Sequence, residues 1–215
     1  MKIGILGSGE VGRSLGRGLA AHGHSVMIGS RTPAKPELAE WRKAAGAKAS
    51  MGTFAEAAAH GELLLLCTNG AATESAIDLA GPRNFAGKVV IDVTNPLDFS
   101  KGMPPGLFVG TTDSLGERVQ RKLPEAKVVK ALNIVGNATM VKPAMADGLP
   151  DMLIAGNDAA AKRTVGGLLK EFGWGEPIDV GGIDGARWLE AWVPLWVRIC
   201  QSVGSWTVAL RVLRS

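Results

Sequence analysis

The chain has 215 residues, of which 46% are hydrophobic and 20% charged, a balance that excludes wholesale disorder or a collagen-like chain and fits one globular core. Its formal net charge of +4 comes from lysines and arginines that are scattered singly, so we expect a mildly basic surface, a small anionic ligand and no nucleic-acid partner. No uncharged apolar run reaches the roughly 18 residues that would span a membrane, so we expect no membrane contact.

An apolar strand over residues 2–6 runs into a glycine turn, Gly7-Ser8-Gly9-Glu10-Val11-Gly12, which opens a helix that ends near residue 22. In such a turn the first glycine permits the tight exit from the strand, the second lets the backbone approach a pyrophosphate, and the third lets helix and strand pack closely. The amide N–H groups at the start of the helix favour an anion. The motif therefore predicts a dinucleotide site; a glycine turn without a ligand is the alternative.

The second strand, residues 25–29, leads into Ser30, Arg31 and Thr32. An acidic residue here would select NAD by accepting hydrogen bonds from its ribose hydroxyls. A guanidinium with neighbouring hydroxyl groups suits a 2′-phosphate instead, and Lys35 adds a second cation. This pattern favours NADP over NAD.

Beyond residue 32, short apolar runs alternate with helical patterns. Helices are predicted from about Pro36 to residue 45 and over residues 54–60, 75–79 and 158–172. Strands are predicted over residues 63–67, 89–93, 128–132, 151–155 and 177–180. Residues 96–116, rich in glycine and proline, form the longest irregular stretch. The alternation indicates a doubly wound α/β fold, with a mainly parallel sheet covered by helices on both faces.

Three loops follow predicted strands at their carboxyl ends, where open α/β sheets bind ligands. They are Thr68-Asn69-Gly70, Thr94-Asn95-Pro96 and Asn133-Ile134-Val135-Gly136. Small polar groups there suit the ribose and amide groups of a cofactor. The alternative is that these residues only form turns.

The last part of the chain predicts a long helix with one apolar stripe. Its members recur at spacings of three and four: Trp188, Trp192, Leu195, Trp196, Ile199, Val203, Trp206 and Leu210. Pro194 should bend this helix or mark a junction between two helices. Such a stripe is typical of a core or a dimer interface; the alternative is that some of its tryptophans line a site for a planar ring.

Groups that would carry acid–base or metal chemistry are missing from the predicted strand ends. The three histidines stand next to glycines and the chain contains no tyrosine, so we predict no catalytic side chain. Asp92 and Asp98 are isolated carboxylates that we interpret as structural. Cys67 and Cys200 lie far apart without metal-ligand spacing, which predicts no metal site and a reducing, cytoplasmic compartment. No signal peptide is expected before the first strand.

Several stretches together resemble one known family, the NADPH-dependent coenzyme F420 reductases, whose module also forms the cytosolic part of the STEAP metalloreductases. The resemblance covers nearly the whole chain and is carried by the glycine turn, by Gly23-His24, by Gly29-Ser30-Arg31, by residues 128–133 and by residues 179–190, which include the sequence Ala186-Arg187-Trp188-Leu189-Glu190.

The resemblance implies a Rossmann-type domain over residues 1–180 that binds NADP(H). A C-terminal helical extension over 181–215, within the same compact unit, would supply an acceptor cleft, a dimer contact or both. NADPH would pass hydride directly to a stacked planar acceptor, F420 or a flavin, in a homodimer. By matching position, Ser8, Gly9 and Val11 would contact the pyrophosphate, Ser30, Arg31 and Lys35 the 2′-phosphate, and the loops at Thr68, Asn95 and Asn133 the rest.

Two alternatives to this function remain at the level of sequence. The absence of a catalytic acid or base also fits an NADP(H)-binding sensor or scaffold without turnover. The glycine turn and the Gly-Ser-Arg ending also fit a small imine or hydroxyacid reductase. Such enzymes usually append a long helical domain, and only about 35 residues follow Val180 here.

Overall fold

The fold was analysed in a computed structural model that describes residues 1–213. The strands are β1 (Lys2–Leu6), β2 (Ser25–Gly29), β3 (Ala49–Gly52), β4 (Leu63–Leu66), β5 (Val89–Asp92), β6 (Leu97–Asp98), β7 (Gly106–Leu107), β8 (Lys127–Lys130), β9 (Leu153–Gly156) and β10 (Ile178–Asp179). The α-helices are α1 (Glu10–Ala21), α2 (Pro36–Ala45), α3 (Phe54–His60), α4 (Thr73–Ala80), α5 (Leu115–Lys122), α6 (Asn137–Met140), α7 (Ala159–Glu171) and α8 (Ala186–Val203).

Eight of these strands form one sheet in the order β10-β9-β8-β5-β4-β1-β2-β3. All neighbours pair in parallel except β8 and β9, and the small strands β6 and β7 form a separate antiparallel hairpin. The mainly parallel doubly wound sheet confirms the predicted Rossmann-type fold. Strand order reverses at β1, which lies between β2 and β4, and a crevice at this reversal is where such sheets bind ligands.

The central strands are apolar because both of their faces are covered. All four residues of β4 are buried, and α1 packs Leu15 and Leu19 against the sheet with no exposed surface. The contact between α1 and β1 requires Gly12, because a Cβ atom there would lie 2.0 Å from the carbonyl oxygen of Gly7. The glycine turn is therefore held directly against the sheet.

Five elements were not predicted: the strands β3, β6 and β7 and the helices α5 and α6. Strand β3 has only four residues, three of them small (Ala49, Ser50 and Gly52), and it forms the edge of the sheet. Helix α5 begins inside the stretch predicted to be irregular. Its signal is present in the sequence: Ser114 caps the helix, its hydroxyl accepting from the Glu117 amide, in the Ser-x-x-Glu pattern of a capping box.

The C-terminal helix differs from its prediction in two ways. Helix α8 continues through Pro194 as one helix and ends at Val203, before the left-handed Gly204 (φ 67°), so Pro194 marks no junction between two helices and Trp206 and Leu210 lie beyond the helix. The predicted stripe is also divided: Trp188 and Leu195 are 65% and 54% exposed, whereas Trp192 packs against the core. The buried face carries a second apolar series, with Leu189, Val193, Val197 and Cys200.

Within residues 1–213, no helix is both long enough and apolar enough to span a membrane.

Candidate functional site

A cleft of about 280 Å³ opens at the carboxyl ends of β1, β2 and β4. It brings together most of the residues that the sequence predicted for the dinucleotide: Gly7, Ser8, Gly9, Ser30, Arg31, Thr32, Lys35, Thr68 and Asn69. The cleft also has an apolar wall that the sequence did not predict, with Phe54 from α3 and Ala72, Ala76 and Leu79 around α4. These wall residues belong to helices and carry no motif, so only their packing reveals them.

The glycine turn is shaped to leave its backbone accessible. Gly7 has φ 126°, and a Cβ atom on it would lie 2.3 Å from the carbonyl oxygen of Cys67, so the tight exit from β1 needs glycine. Gly9 is the N-cap of α1, and a Cβ atom placed on it would have no neighbour within 4 Å. Open space therefore lies over the first amides of α1, where an anion is favoured.

Internal hydrogen bonds hold this turn against the end of β2. The Ser8 hydroxyl donates to the Ser30 hydroxyl (3.2 Å), which also accepts from the Thr32 amide (3.1 Å). Arg13, which the sequence analysis missed, donates from Nη1 to the carbonyl oxygen of Ser8 (3.0 Å). The side chain of Ser30 is buried, so it joins the turn to the strand end and leaves Arg31 to face the cleft.

Arg31 and Lys35 are the cations of this cleft. Arg31 is exposed and Lys35 half-buried, and both line the cleft. No acidic side chain among residues 1–213 forms an ion pair with either of them. Two cations with hydrogen-bond donors at the end of β2 suit a phosphate group.

The loop after β4 combines turn formation with a close backbone approach. Asn69 accepts from the amide of Ala71 through Oδ1 (3.1 Å), and the hydroxyls of Thr68 and Thr73 are 2.9 Å apart. A Cβ atom on Gly70 would lie 2.1 Å from the carbonyl oxygen of Asn95. The predicted loops after β4 and β5 are thus in direct contact.

The loops after β5 and β8 meet through two asparagines. Asn95 Nδ2 donates to the carbonyl oxygen of Asn133 (2.9 Å), and Asn133 Nδ2 donates to Asn95 Oδ1 (2.9 Å) and to the carbonyl oxygen of Leu189 in α8 (3.1 Å). Asn133 Oδ1 is buried and has no hydrogen-bond partner among residues 1–213. The preceding residue, Leu132, has φ 65°, a strained conformation for a side-chain-bearing residue. A buried unpaired acceptor beside backbone strain is typical of a functional site.

The remaining predicted residues lie around these loops. Glu10 is exposed at the first position of α1, and Val11 is half-buried against the core. Pro96 accepts from the amide of Phe108 (2.9 Å) at the start of the β6–β7 hairpin. Val135 is buried, so only its backbone is available for a ligand.

Behind the asparagines, Lys130 at the end of β8 and Asp92 at the end of β5 form a buried ion pair (2.8 Å), which Glu190 of α8 joins at 2.7 Å from the Lys130 ammonium. Burial lowers the pKa of Lys130, but the charges of Asp92 and Glu190 outweigh it, and the net pKa is raised. Lys130 is therefore charged. The structural role that the sequence predicted for Asp92 agrees with this pairing, whereas Lys130 was missed.

The tryptophans of α8 divide into two roles. Trp192 donates from Nε1 to the carbonyl oxygen of Ile134 (3.2 Å), between Asn133 and Val135. Trp196 donates to the carbonyl oxygen of Val208 (2.8 Å) and its ring centroid lies 5.9 Å from that of Trp206. Trp192 and Trp196 thus brace the loop after β8 and the C-terminal segment, while Trp188 projects outward.

Reactive side chains are scarce at the site. Burial, with a contribution from Asp92, raises the pKa of the Cys67 thiol, so Cys67 does not supply a thiolate. Among residues 1–213, no group of three or more His, Cys, Asp or Glu side chains is arranged to hold a metal ion. The arrangement can bind and orient ligands, with no nucleophile assembled at it in the described part of the chain.

Comparison with known proteins places these features in context. The profile of the family described as NADP oxidoreductase, coenzyme F420-dependent, matches residues 2–96. The chain is 32% identical over 207 residues to the F420-dependent NADP reductase of Methanocaldococcus jannaschii, covering 91% of this chain and 90% of that protein. It is 32% identical over 197 residues to the metalloreductase STEAP3 of Rattus norvegicus, covering 90% of this chain but spanning only 36% of that protein's length. The crystal structure of a proposed F420-dependent NADP-reductase from Arthrobacter sp. FB24 superposes with a TM-score of 0.95 at 43% identity, over 100% of both chains.

Proposed function

The chain belongs to the coenzyme F420-dependent NADP oxidoreductase family and is an NADP-dependent oxidoreductase, and we propose that it transfers hydride between the nicotinamide and a planar acceptor, coenzyme F420 or a flavin. The observation that carries the proposal is the cleft in which an open glycine turn meets two cations, Arg31 and Lys35. Bound NADPH supplies the hydride; the residues of the chain bind it, orient it and exclude water.

The residues present fit a phosphorylated dinucleotide. The open space over Gly9 accommodates a pyrophosphate against the amides of Ser8, Gly9, Glu10 and Val11. Arg31, Lys35 and the polar groups of Ser30 and Thr32 would hold the 2′-phosphate, and the apolar wall at Phe54 and Leu79 would cover the adenine ring.

The nicotinamide end would be held by the three loops that meet beyond the glycine turn. We assign to it Thr68, Asn69, Gly70, Asn95, Pro96, Asn133 and Val135. Direct hydride transfer between stacked rings depends on distance and orientation, and it needs no acid or base from the protein. The contact between Gly70 and Asn95 and the paired amides of Asn95 and Asn133 are the rigid parts of this region.

We assign the acceptor to the side of the cleft formed by the β6–β7 hairpin and α8. The hairpin region exposes Phe99 (52%) and Phe108 (39%). Exposed aromatic side chains next to a cofactor loop suit a planar ring. In this proposal residues 1–180 bind NADP(H), and residues 181–215 complete the acceptor cleft.

We also propose a homodimer that uses the outward apolar face of α8, and a cytoplasmic location. Trp188, Leu195 and Val203 lie on that face, and each is more than half exposed. A helix that is apolar on two faces gains stability when a second surface covers the outer one. Cys67 and Cys200 are buried and form no disulfide within residues 1–213, which fits a reducing compartment.

The test of this function is an acceptor panel under anaerobic conditions. NADPH is mixed with F420, FMN, FAD and a cyclic imine, and the absorbance of each acceptor and of NADPH is followed. We expect NADPH-dependent bleaching of F420 or of a flavin, with NADH much less effective. Tight NADPH binding without transfer to any acceptor would contradict the proposal and support a sensor; consumption of NADPH by the imine alone would support an imine reductase.

A further inference from the structure

Three charged side chains lie buried directly behind the asparagine pair. The Lys130 ammonium donates to Asp92 Oδ2 (2.8 Å) and to the carbonyl oxygen of Thr94 (2.6 Å), and it lies 2.7 Å from Glu190 Oε1. The three charged side chains are at most 2% exposed. An ammonium has three protons, and here each has an acceptor. Loss of any one partner leaves a charge buried without its complement.

The same cluster joins four elements of the fold. Glu190 accepts from the amides of Leu115 and Gly116 (both 2.9 Å), the first residues of α5, so α8 is fixed to the start of α5. Asp92 Oδ1 accepts from the amide (2.9 Å) and the hydroxyl (2.6 Å) of Thr94. The strands β5 and β8 and the helices α5 and α8 therefore meet at one set of charges.

The cluster is connected to each asparagine of the pair through one intervening residue. Thr94, whose carbonyl accepts from Lys130, immediately precedes Asn95. Glu190 immediately follows Leu189, whose carbonyl accepts from Asn133 Nδ2. Because that carbonyl can only accept, it sets the orientation of the Asn133 amide and leaves Oδ1 on the other side, without a partner among residues 1–213.

We propose that the cluster of Lys130, Asp92 and Glu190 positions the amides of Asn95 and Asn133 for the nicotinamide end of NADP(H). This inference rests on the proposed function, because that function assigns the two asparagines to the nicotinamide. The three charged residues are positioning residues, since they act through the asparagines. A fully satisfied ionic cluster admits one arrangement of its neighbours, whereas an apolar contact would let them shift.

The test compares two ligands that share the adenosine end. NADP⁺ also carries a second phosphate, a ribose and the nicotinamide, which 2′,5′-ADP lacks, so the ratio of the dissociation constant of 2′,5′-ADP to that of NADP⁺ reports the nicotinamide half of the cofactor. Glu190→Gln keeps the size of the side chain, but it turns an N–H group toward the Lys130 ammonium or toward the amides at the start of α5, all of which can only donate. We expect unchanged binding of 2′,5′-ADP by calorimetry and a loss of about tenfold in NADP⁺ affinity. Hydride transfer should fall by about 100-fold, because small misplacement of reacting groups is costly.

Glu117→Gln is the matched control. Glu117 also connects α5 to α8, through Arg187 (2.6 Å from the Arg187 guanidinium), but it makes no contact with the ion cluster. If anchoring of α8 were the whole effect, both variants would lower the ratio equally, and that result would overturn the inference. We expect only Glu190→Gln to change it.

Thr94→Val covers the case in which Glu190→Gln does not fold. It removes one hydrogen bond to Asp92 and keeps every charge and the side-chain volume. A lowered melting temperature with an unchanged ratio of NADP⁺ to 2′,5′-ADP affinity in this variant would show a purely structural role and refute the inference. Failure of the unmodified protein to bind 2′,5′-ADP would instead refute the proposed function itself.

Discussion

Replacing Arg31 by alanine removes one of the two cations assigned to the 2′-phosphate. A hydrogen bond between a charged donor and a charged acceptor contributes about 1.5–3 kcal/mol, and solvent screening places an exposed group at the lower end. Arg31 is exposed, and Lys35 remains in the same cleft. We therefore expect a loss of about 1.5–2 kcal/mol, which is about 10- to 30-fold in the dissociation constant of NADPH.

The assay is a fluorescence titration of NADPH and NADH at fixed ionic strength. NADH has no 2′-phosphate, so its affinity should change little, and the preference for NADPH should fall by the full factor. Arg31→Lys should recover part of the loss, because it restores the charge without the planar fork. Arg83→Ala is the control for net charge, since Arg83 is also exposed but lies outside the cleft. Equal losses for NADPH and NADH would refute the phosphate role of Arg31.

Three further predictions concern packing, assembly and pH. Gly12→Ala should lower stability by about 1–3 kcal/mol and weaken NADPH binding, because its Cβ would collide with the carbonyl of Gly7; thermal unfolding and titration measure both. Trp188→Ser should shift a homodimer toward monomer in sedimentation with little change in NADPH affinity, because the side chain is 65% exposed. Hydrogen bonds from Arg121 lower the pKa of Asp113 to about 2, below its usual 3.8, so its contribution to stability is complete above that usual value and is lost as the pH falls through about 2. The difference in urea midpoint between the wild type and Asp113→Asn should therefore be present at neutral pH and shrink between about pH 4 and about pH 2.

The predictions for Gly12 and Trp188 each have a control within the chain. Gly167→Ala lies in α7, where a Cβ would have no neighbour within 4 Å, and should be neutral or stabilising. Trp192→Ala should instead destabilise the fold, since its indole packs against the core and bonds to Ile134. A Gly12→Ala variant as stable as the wild type would contradict the predicted collision, and a homodimer unaffected by Trp188→Ser would contradict the proposed interface. A stability difference between the wild type and Asp113→Asn that stays constant over the acidic range would contradict the pH prediction.

Local sequence patterns determined the elements that carry strong short-range signals. The glycine turn, the apolar strand Leu63–Leu66 and the helix Phe54–His60 follow from residue types within a few positions. That helix begins at a capping box between Thr53 and Glu56, which lies wholly inside the local sequence. The edge strand β3 escaped prediction because none of its four residues is β-branched or aromatic, and its pairing with β2 provides most of its definition.

Packing, and not the sequence pattern, decided which face of α8 is buried. Periodicity shows which residues share a face, and this helix has two apolar series, so the pattern alone does not decide which one faces inward. The series with Leu189 and Val193 meets the sheet, and the series with Trp188 and Leu195 faces outward. Glu190 is a charged residue among the apolar residues of the buried face, and it identifies that face only when its partner Lys130 is known.

The sequence by itself thus determined the fold class and the glycine turn, and it predicted a phosphorylated cofactor at Arg31, because these rest on spacing within a strand-turn-helix unit. Only the tertiary structure decided which charges lie next to Asn95 and Asn133, the residues that we assign to the nicotinamide end. Asp92, Lys130 and Glu190 are separated by 38 and 60 positions in the chain, and their charges meet because β5, β8 and α8 come together at the same edge of the sheet. A buried charge is stable only with its partners in place, and partners that are distant in sequence leave no local pattern.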